Sequence, residues 1–462
     1  MKIKKGNQLE LGVTKLAFGG RGIAKVDGLA VFVDQAVPGD QVLARIFKRR
    51  KNHAEARIVE MLKPSALRVT PPCRYHGQCG GCKWQFLPYQ QQLKYKRQHV
   101  LEALEHIGHL RGVQVHEVLP SSKAFGYRNK MEFSCSDRRW LMPDEMGQEG
   151  QDTRFALGLH VPGTYYKVLD TQACLLQPAL GNRILAEVRR YMKNSAAPVY
   201  GLKSHEGYWR FLMLRHSTAY DQWMVNIVTA SEDVAQVQPL ADVLTNRYPQ
   251  IVSVVNNITA RKAGIAVGEM EILLAGAPAF RDKIGAFEFE ISSNSFFQTN
   301  TAGAVLLYQT VSQFAALTGQ ETVLDLYCGT GTIAICLSES AKQVIGVEIT
   351  ASAIANAQRN CQINRVPNCR FVHGDLKDGL RAIATVPDVL VVDPPRAGLH
   401  QAVVKHILQM APARMVYVSC NPATMARDIR LLNEQYRLLE VQPVDMFPHT
   451  YHIESVARLV RR

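Results

Sequence analysis

The stretch 322–393 most narrows the folds open to this chain. Residues 322–327 (TVLDLY) form an apolar run of strand length, Cys328-Gly329-Thr330-Gly331-Thr332 is a glycine-bearing turn, and 333–340 has helical spacing. A second strand over 344–349 carries an acid near its end, Glu348. Helix 351–364, strand 370–372 with Asp375 just beyond, and strand 389–393 follow. This alternation predicts a doubly wound parallel sheet, whose chemistry sits at the carboxyl ends of its strands. Further on, 415–418 (MVYV) suits a buried strand. Asn421-Pro422 reads as an N-cap with proline at the first helical position, and 423–432 as the helix. Cys420 falls between the two, at the same sheet edge. A helix N-terminus there favours the thiolate, the nucleophilic form of cysteine; a buried structural cysteine is the alternative.

Asp325-x-x-x-Gly329-x-Gly331, with Glu348 after the second strand, is a nucleoside-cofactor pattern. The glycines admit close backbone approach, and the acid accepts hydrogen bonds from ribose hydroxyls. Ala334 stands where a dinucleotide fingerprint has its third glycine. That favours S-adenosylmethionine, which has no pyrophosphate, over a dehydrogenase cofactor. Asp393-Pro394-Pro395-Arg396-Ala397-Gly398 ends the next strand, where an acid can accept a hydrogen bond from a substrate amine. Amine methylation has no need of Cys420. A thiolate suits a carbon target: uracil carbon 5 becomes nucleophilic once something adds at carbon 6. A base must then remove the carbon 5 proton, and His449, His452 and Glu454 are the candidates.

The net charge of +14 is uneven. Residues 1–139 hold 25 Lys and Arg against 11 Asp and Glu, and the remainder balances at 29 against 29. A basic module beside a neutral catalytic body points to a polyanion partner, nucleic acid rather than an anionic membrane, since no basic amphipathic helix is present. No apolar run approaches a membrane span, and the start has no apolar signal core, so a cytoplasmic location is expected. Nothing calls for an obligate protein partner. Within the basic third, short alternating segments at 29–33, 41–47 and 56–62, separated by glycine turns, predict a five-stranded barrel of the oligonucleotide-binding type. Lys48-Arg49-Arg50-Lys51 ends one strand, in reach of phosphates or simply solvated.

Cys73, Cys79 and Cys82, with Gly80 and Gly81 between the last two, make a metal-site pattern short of one ligand. Cys174 is the best fourth candidate, with Cys135 as a rival and His76 as a substitute. Three plus one fits an iron–sulfur cluster better than a zinc ribbon, which shows two Cys-x-x-Cys pairs. Residues 88–110 read as a long helix. Residues 125–130 (FGYRNK) mix aromatic and basic side chains that could stack bases or simply pack. Strands and one helix, 178–193, alternate through 131–290.

Taken together, these segments resemble the S-adenosylmethionine-dependent RNA uracil-5-methyltransferases over essentially the whole chain. The most specific segments are SCNPATMARD around Cys420, DPPRAG from Asp393, HIES around Glu454, NSFFQTN around Gln298, and CGGC with Cys73. The resemblance implies Cys420 as the nucleophile and Glu454 as the base. It assigns the cofactor site to Gln298, Tyr327, Thr332, Glu348, Asp375 and Asp393. It makes Cys73, Cys79, Cys82 and Cys174 the ligands of a [4Fe-4S] cluster. The family often has Asn where Asp375 stands.

The implied architecture is multidomain: an OB-like TRAM RNA-binding barrel over 1–62, a central α+β domain with the cluster and an RNA-binding surface over 63–290, and a Rossmann-like α/β methyltransferase over 291–462. Barrel and cluster together resemble the branch that forms 5-methyluridine in 23S ribosomal RNA. Transfer RNA as substrate, or a non-catalytic RNA-binding or assembly role, are the alternatives. A target carbon stacked inside RNA must be flipped out, at a cost of a few kcal/mol.

Overall fold

A computed structural model describes residues 3–262, 264–376 and 386–462. The basic N-terminal region forms a six-stranded sheet rather than five strands, in the order Gln8–Gly12, Gln41–Arg49, His53–Lys63, Leu29–Asp34, Gly22–Val26, Lys15–Leu16. The extra strand has only two residues, too few to show alternation in a sequence. Val31, Val33, Val42, Ala44, Ile46, Ala54 and Ala56 point inward and form its core. Asp40 is fully buried. It accepts hydrogen bonds from the Val37 and Ser65 N–H groups and pairs with Arg68 at 2.8 Å.

The central sheet runs Ala156–Gly158, Lys130–Ser136, Trp209–Ser217, Gln222–Thr229, Ile251–Ile258, Met270–Gly276. Helices Ala179–Asn194 and Val234–Arg247 supply Ile184, Leu185, Val188, Leu240 and Leu244 to its core.

The C-terminal sheet has eight strands, in the order Cys369–His373, Gln343–Glu348, Thr322–Leu326, Val389–Val392, Arg414–Ser419, Glu454–Arg461, Tyr436–Val444, Gln114–Val115. The first five are mutually parallel, and Glu454–Arg461 runs antiparallel between its two neighbours. One face packs against helices Gln401–Met410 and Pro422–Leu432, the other against Thr301–Ala315 and Thr332–Ser338.

Packing cuts across the expected 63–290 unit. Helix Tyr89–His106 buries Leu93, Val100 and Leu104 in the core of the C-terminal sheet, and Gln114–Val115 joins that sheet's edge. Hairpin Ala279–Ile284/Phe287–Ser292 packs on its other face. Sequence periodicity fixes a helix's apolar face but not which sheet it covers.

The segment 125–130 is used for packing. Phe125 stacks on His449 at 4.2 Å between ring centroids, Tyr127 Oη donates to the Pro448 carbonyl, and Asn129 Nδ2 donates to the Gln298 carbonyl.

Candidate active site and cysteine pocket

Strand register brings the two catalytic candidates together. Arg414–Ser419 and Glu454–Arg461 pair antiparallel with Ser419 opposite Ser455. Cys420 and Glu454 are the next residues beyond that pair, and the Glu454 carboxyl acts on the Cys420 thiol. Beyond Cys420 the helix starts as expected. Asn421 Oδ1 caps the Ala423 N–H, and Asn421 Nδ2 reaches the Arg396 carbonyl at 3.1 Å, tying the loop after Asp393 to the helix. Asp428, fully buried, accepts from the Leu399 N–H, Tyr417 Oη and Arg427 and fastens the other end of that loop. Gly398 is required there, with φ +77° and a Cβ position 2.4 Å from Asp428 Oδ2.

The electrostatics differ from the expected stabilised thiolate. Burial first, and then Glu454, push the Cys420 thiol up to about 11; the Arg396 guanidinium opposes them. Glu454 is itself raised well above the usual carboxylate range by burial and by Asp393. Neighbouring carboxylates and lost solvation thus outweigh the helix terminus. In the sequence Arg396 is only one residue of the DPPRAG motif; in the fold it faces Cys420 and Glu454 and is the cation that counters them.

The other candidate bases are differently engaged. His449, at φ +66°, accepts at Nδ1 from the Gln92 amide, and its N–H donates to Gln92 Oε1. Burial and nearby Lys96 pull its pKa down to about 4. Burial and Arg396 do the same to His452. The His449 carbonyl accepts from the Lys83 and Trp84 N–H groups, so the cysteine loop is bonded to the segment leading to Glu454. Lys96 and Asp445, both without solvent exposure, pair at 2.6 Å in the same segment.

The glycine turn follows Thr322–Leu326. Tyr327 adopts φ +65°, a conformation a non-glycine residue holds only where its surroundings impose it. Gly331, at φ +77°, opens helix Thr332–Ser338, and a Cβ there would lie 2.8 Å from the Phe371 ring. Glu348 accepts from the Gly329 N–H at 3.2 Å and the Thr350 N–H at 2.9 Å, which fixes its carboxylate beside the turn. Tyr327, Glu348 and Asp375 line one cavity of about 200 Å³, together with Leu376, His400 and Val403. His400 and Val403 carry no sequence signal, being the N-cap and first turn of an ordinary helix.

Gln298 and Thr332 meet elsewhere, through the buried Tyr308, whose hydroxyl lies 3.1 Å from Thr332 Oγ1. Asp393, pushed up to about 6 by burial, acts electrostatically both on Tyr308 and on the Cys420–Glu454 pair. Asp325 is fully buried, with neither carboxylate oxygen in a well-formed hydrogen bond. Burial first, and then Asp393, push its carboxyl well above the usual range.

Cys73, Cys79, Cys82 and Cys174 line a single cavity of about 180 Å³, walled by Met131, Leu159 and Leu176. Cys135 lies apart, buried against Met192 in the central core. His76 also lines the cavity, with its ring edge-on to Phe86. Burial pushes Cys79 and Cys82 up to about 12, and the Gly81 N–H points at Cys79 Sγ, 3.3 Å away. Among the described residues, no group of three or more His, Cys, Asp and Glu side chains is gathered closely enough to hold a single metal ion.

Residues 280–462 match the family described as tRNA (Uracil-5-)-methyltransferase, and residues 2–59 match the TRAM domain. A protein of Chlorobaculum tepidum, named as an uncharacterized RNA methyltransferase, is 42% identical over 99% of this chain and 97% of its own length. A Porphyromonas gingivalis protein of the same description is 40% identical over 97% and 99%. The solved structure of the Pyrococcus abyssi tRNA (uracil-54, C5)-methyltransferase, in complex with S-adenosyl-L-homocysteine, superimposes with a TM-score of 0.77 at 30% identity. It covers 98% of this chain and all of that one.

Proposed function

The chain belongs to the RNA uracil-5-methyltransferase family with a TRAM domain, and on that premise we propose that it methylates carbon 5 of a uridine in 23S ribosomal RNA. The coarser activity, S-adenosylmethionine-dependent methylation of uracil in RNA, follows from the family itself.

The observation that supports the residue roles is that Cys420 and Glu454 each lie next to the paired residues Ser419 and Ser455, with the Glu454 carboxyl close enough to raise the Cys420 thiol. In this reading the Cys420 thiolate adds to carbon 6 of the flipped uridine, and the electrons displaced from the 5,6 double bond make carbon 5 nucleophilic. S-adenosylmethionine supplies the electrophilic methyl group. Glu454 then takes the proton from carbon 5, the double bond re-forms, and the carbon–sulfur bond breaks to return the thiolate. The net proton released ends on Glu454, whose raised affinity for protons suits that task.

Gln298, Tyr327, Thr332, Glu348, Asp375 and Asp393 would hold the methyl donor. The cavity shared by Tyr327, Glu348 and Asp375 supports a nucleoside pocket.

Cys73, Cys79, Cys82 and Cys174 would hold a [4Fe-4S] cluster. That the four thiols line one cavity is what supports this reading; in such a cluster each cysteine binds a different iron. Such a cluster would cross-link the loop that bonds to His449. The domain limits 1–62, 63–290 and 291–462 and the cytoplasmic location belong to the same reading; no described helix is long and apolar enough to cross a membrane.

A second substrate, transfer RNA, is favoured by the Pyrococcus abyssi structure, whose name specifies tRNA and whose fold spans this whole chain. Mapping 5-methyluridine in total RNA from a deletion strain separates the two: loss in 23S rRNA supports the proposal, and loss in tRNA alone overturns it. For the chemistry, 5-fluorouridine RNA with S-adenosylmethionine should form a denaturation-resistant adduct that disappears in Cys420→Ala. Anaerobically purified protein should absorb in the visible; colourless zinc-loaded protein overturns the cluster.

A further inference from the structure

The central sheet carries a buried arginine that the catalytic reading does not use. Arg215 lies on strand Trp209–Ser217, paired with Lys130 on one side and Met224 on the other. Met224 packs in the same core as Phe280, Phe289 and Val323, so the sheet abuts the methyltransferase unit here. Arg215 is only 3% exposed. Its Nη2 donates to two backbone carbonyls of one turn, Ser293 at 3.0 Å and Ser295 at 2.5 Å. Burial draws its pKa down to about 10, and Glu132 on the adjacent strand opposes that. A guanidinium held out of water is often no more stabilising than an apolar side chain of similar volume. Its place is therefore better explained by what it holds than by what it adds to the core.

What it holds leads directly to the methyl-donor residues. Just beyond Ser295, the Phe296 carbonyl accepts from Thr330 Oγ1, in the glycine turn, at 3.5 Å, and the Thr330 carbonyl accepts from Asn360 Nδ2 at 3.2 Å. Gln298 follows two residues later. The far end of this segment is tied to the same sheet. The Asn129 N–H donates to the Thr299 carbonyl at 2.9 Å, Asn129 Nδ2 donates to the Gln298 carbonyl, and the His216 N–H, next to Arg215, donates to the Asn129 carbonyl. Residues 293–299 thus form a bridge with both ends on the central sheet and its middle against the glycine turn. We infer that Arg215 is a positioning residue for the methyl-donor site: its guanidinium clamps the turn at 293–295 and so sets how Phe296 and Gln298 meet the turn of Gly329 and Gly331. Arg215 acts through that backbone and not on the donor itself. The inference rests on the RNA-methylating reading above, which supplies the donor's identity.

The test is calorimetric binding of S-adenosyl-L-homocysteine, the donor without its methyl group, to the full-length protein. Arg215→Met keeps a long side chain but removes the hydrogen-bond donors, and should weaken binding about tenfold, the scale of one charge-assisted hydrogen bond. Arg215→Lys should fall between, at about threefold, since an ammonium is a point charge in place of the planar guanidinium. In methylation assays the KM for S-adenosylmethionine should rise in the same order, while kcat at saturating donor stays within about twofold. Affinity for a single-stranded oligouridylate should be unchanged, which a general loosening of the fold would not allow. Hydrogen exchange of the ligand-free protein should show residues 293–299 losing protection in Arg215→Met. Binding of S-adenosyl-L-homocysteine by Arg215→Met within about twofold of wild type, or unchanged exchange over 293–299, overturns the clamp. If Arg215→Met does not fold, wild-type binding by Arg215→Lys overturns it. Wild-type protein that fails to bind S-adenosyl-L-homocysteine overturns the donor reading as well, so the two failures are told apart.

Discussion

In the free enzyme Cys420 should react slowly, and the structure says by how much. Its thiol is pushed from an ordinary 9.0 to about 11, by burial first and then by Glu454. At pH 8 the thiolate is then about a hundredfold scarcer than in an unperturbed cysteine, since each pKa unit is a factor of ten. A more basic thiolate is also a better nucleophile, with a Brønsted coefficient of about 0.5, which returns about tenfold. The net expectation is alkylation by iodoacetamide about tenfold slower than a model thiol, with a rate still rising above pH 9. Mass spectrometry of the Cys420 peptide follows this one site among the ten cysteines. Arg396→Gln should slow the reaction further by about threefold, the scale of an exposed ion pair. Glu454→Gln should accelerate it, because a carboxylate that opposes the thiolate is gone. A wild-type rate that levels off below pH 8, or Arg396→Gln alkylating as fast as wild type, would refute this electrostatic account.

Lys96→Met should destabilise the protein by about 3–5 kcal/mol, because Asp445 is left charged with no solvent; Lys96→Met with Asp445→Asn should recover much of that in urea denaturation. Gly331→Ala should raise the KM for S-adenosylmethionine at least tenfold while the TRAM sheet stays folded, since both its left-handed φ and the Phe371 ring exclude a Cβ. Asp40 offers a pH test. Burial alone would raise its pKa, but Arg68 and the Val37 and Ser65 N–H groups outweigh it and leave the folded value below 3.8. Its contribution is therefore present above the unfolded pKa and lost as pH falls through the lowered folded one. Asp40→Asn should cost stability at pH 7, and thermal melts of the two proteins should converge as the pH falls below 3.8 and through the lowered folded value.

Much of the catalytic unit was written locally. Alternation of strands and helices, the Gly329–Gly331 turn and the Asn421-Pro422 helix start are decided by neighbours within a few residues, where propensity and capping act. The grouping of Cys73, Cys79 and Cys82 is equally local, whereas tertiary packing brings Cys174 to line the same cavity. Other features depend on contacts far along the chain. Helix Tyr89–His106 is legible as a helix, yet only tertiary packing sends it to the C-terminal sheet. The aromatic and basic run 125–130 suits an RNA surface or a core equally well, and stacking on His449 decides for packing. Cys420 looked poised as a thiolate because a sequence displays the helix that follows it. The opposing Glu454 and Asp393 arrive only when distant strands pair. Short-range steric and hydrogen-bonding rules thus determined the elements, while long-range burial and charge, which no window of sequence contains, decided how the site is tuned.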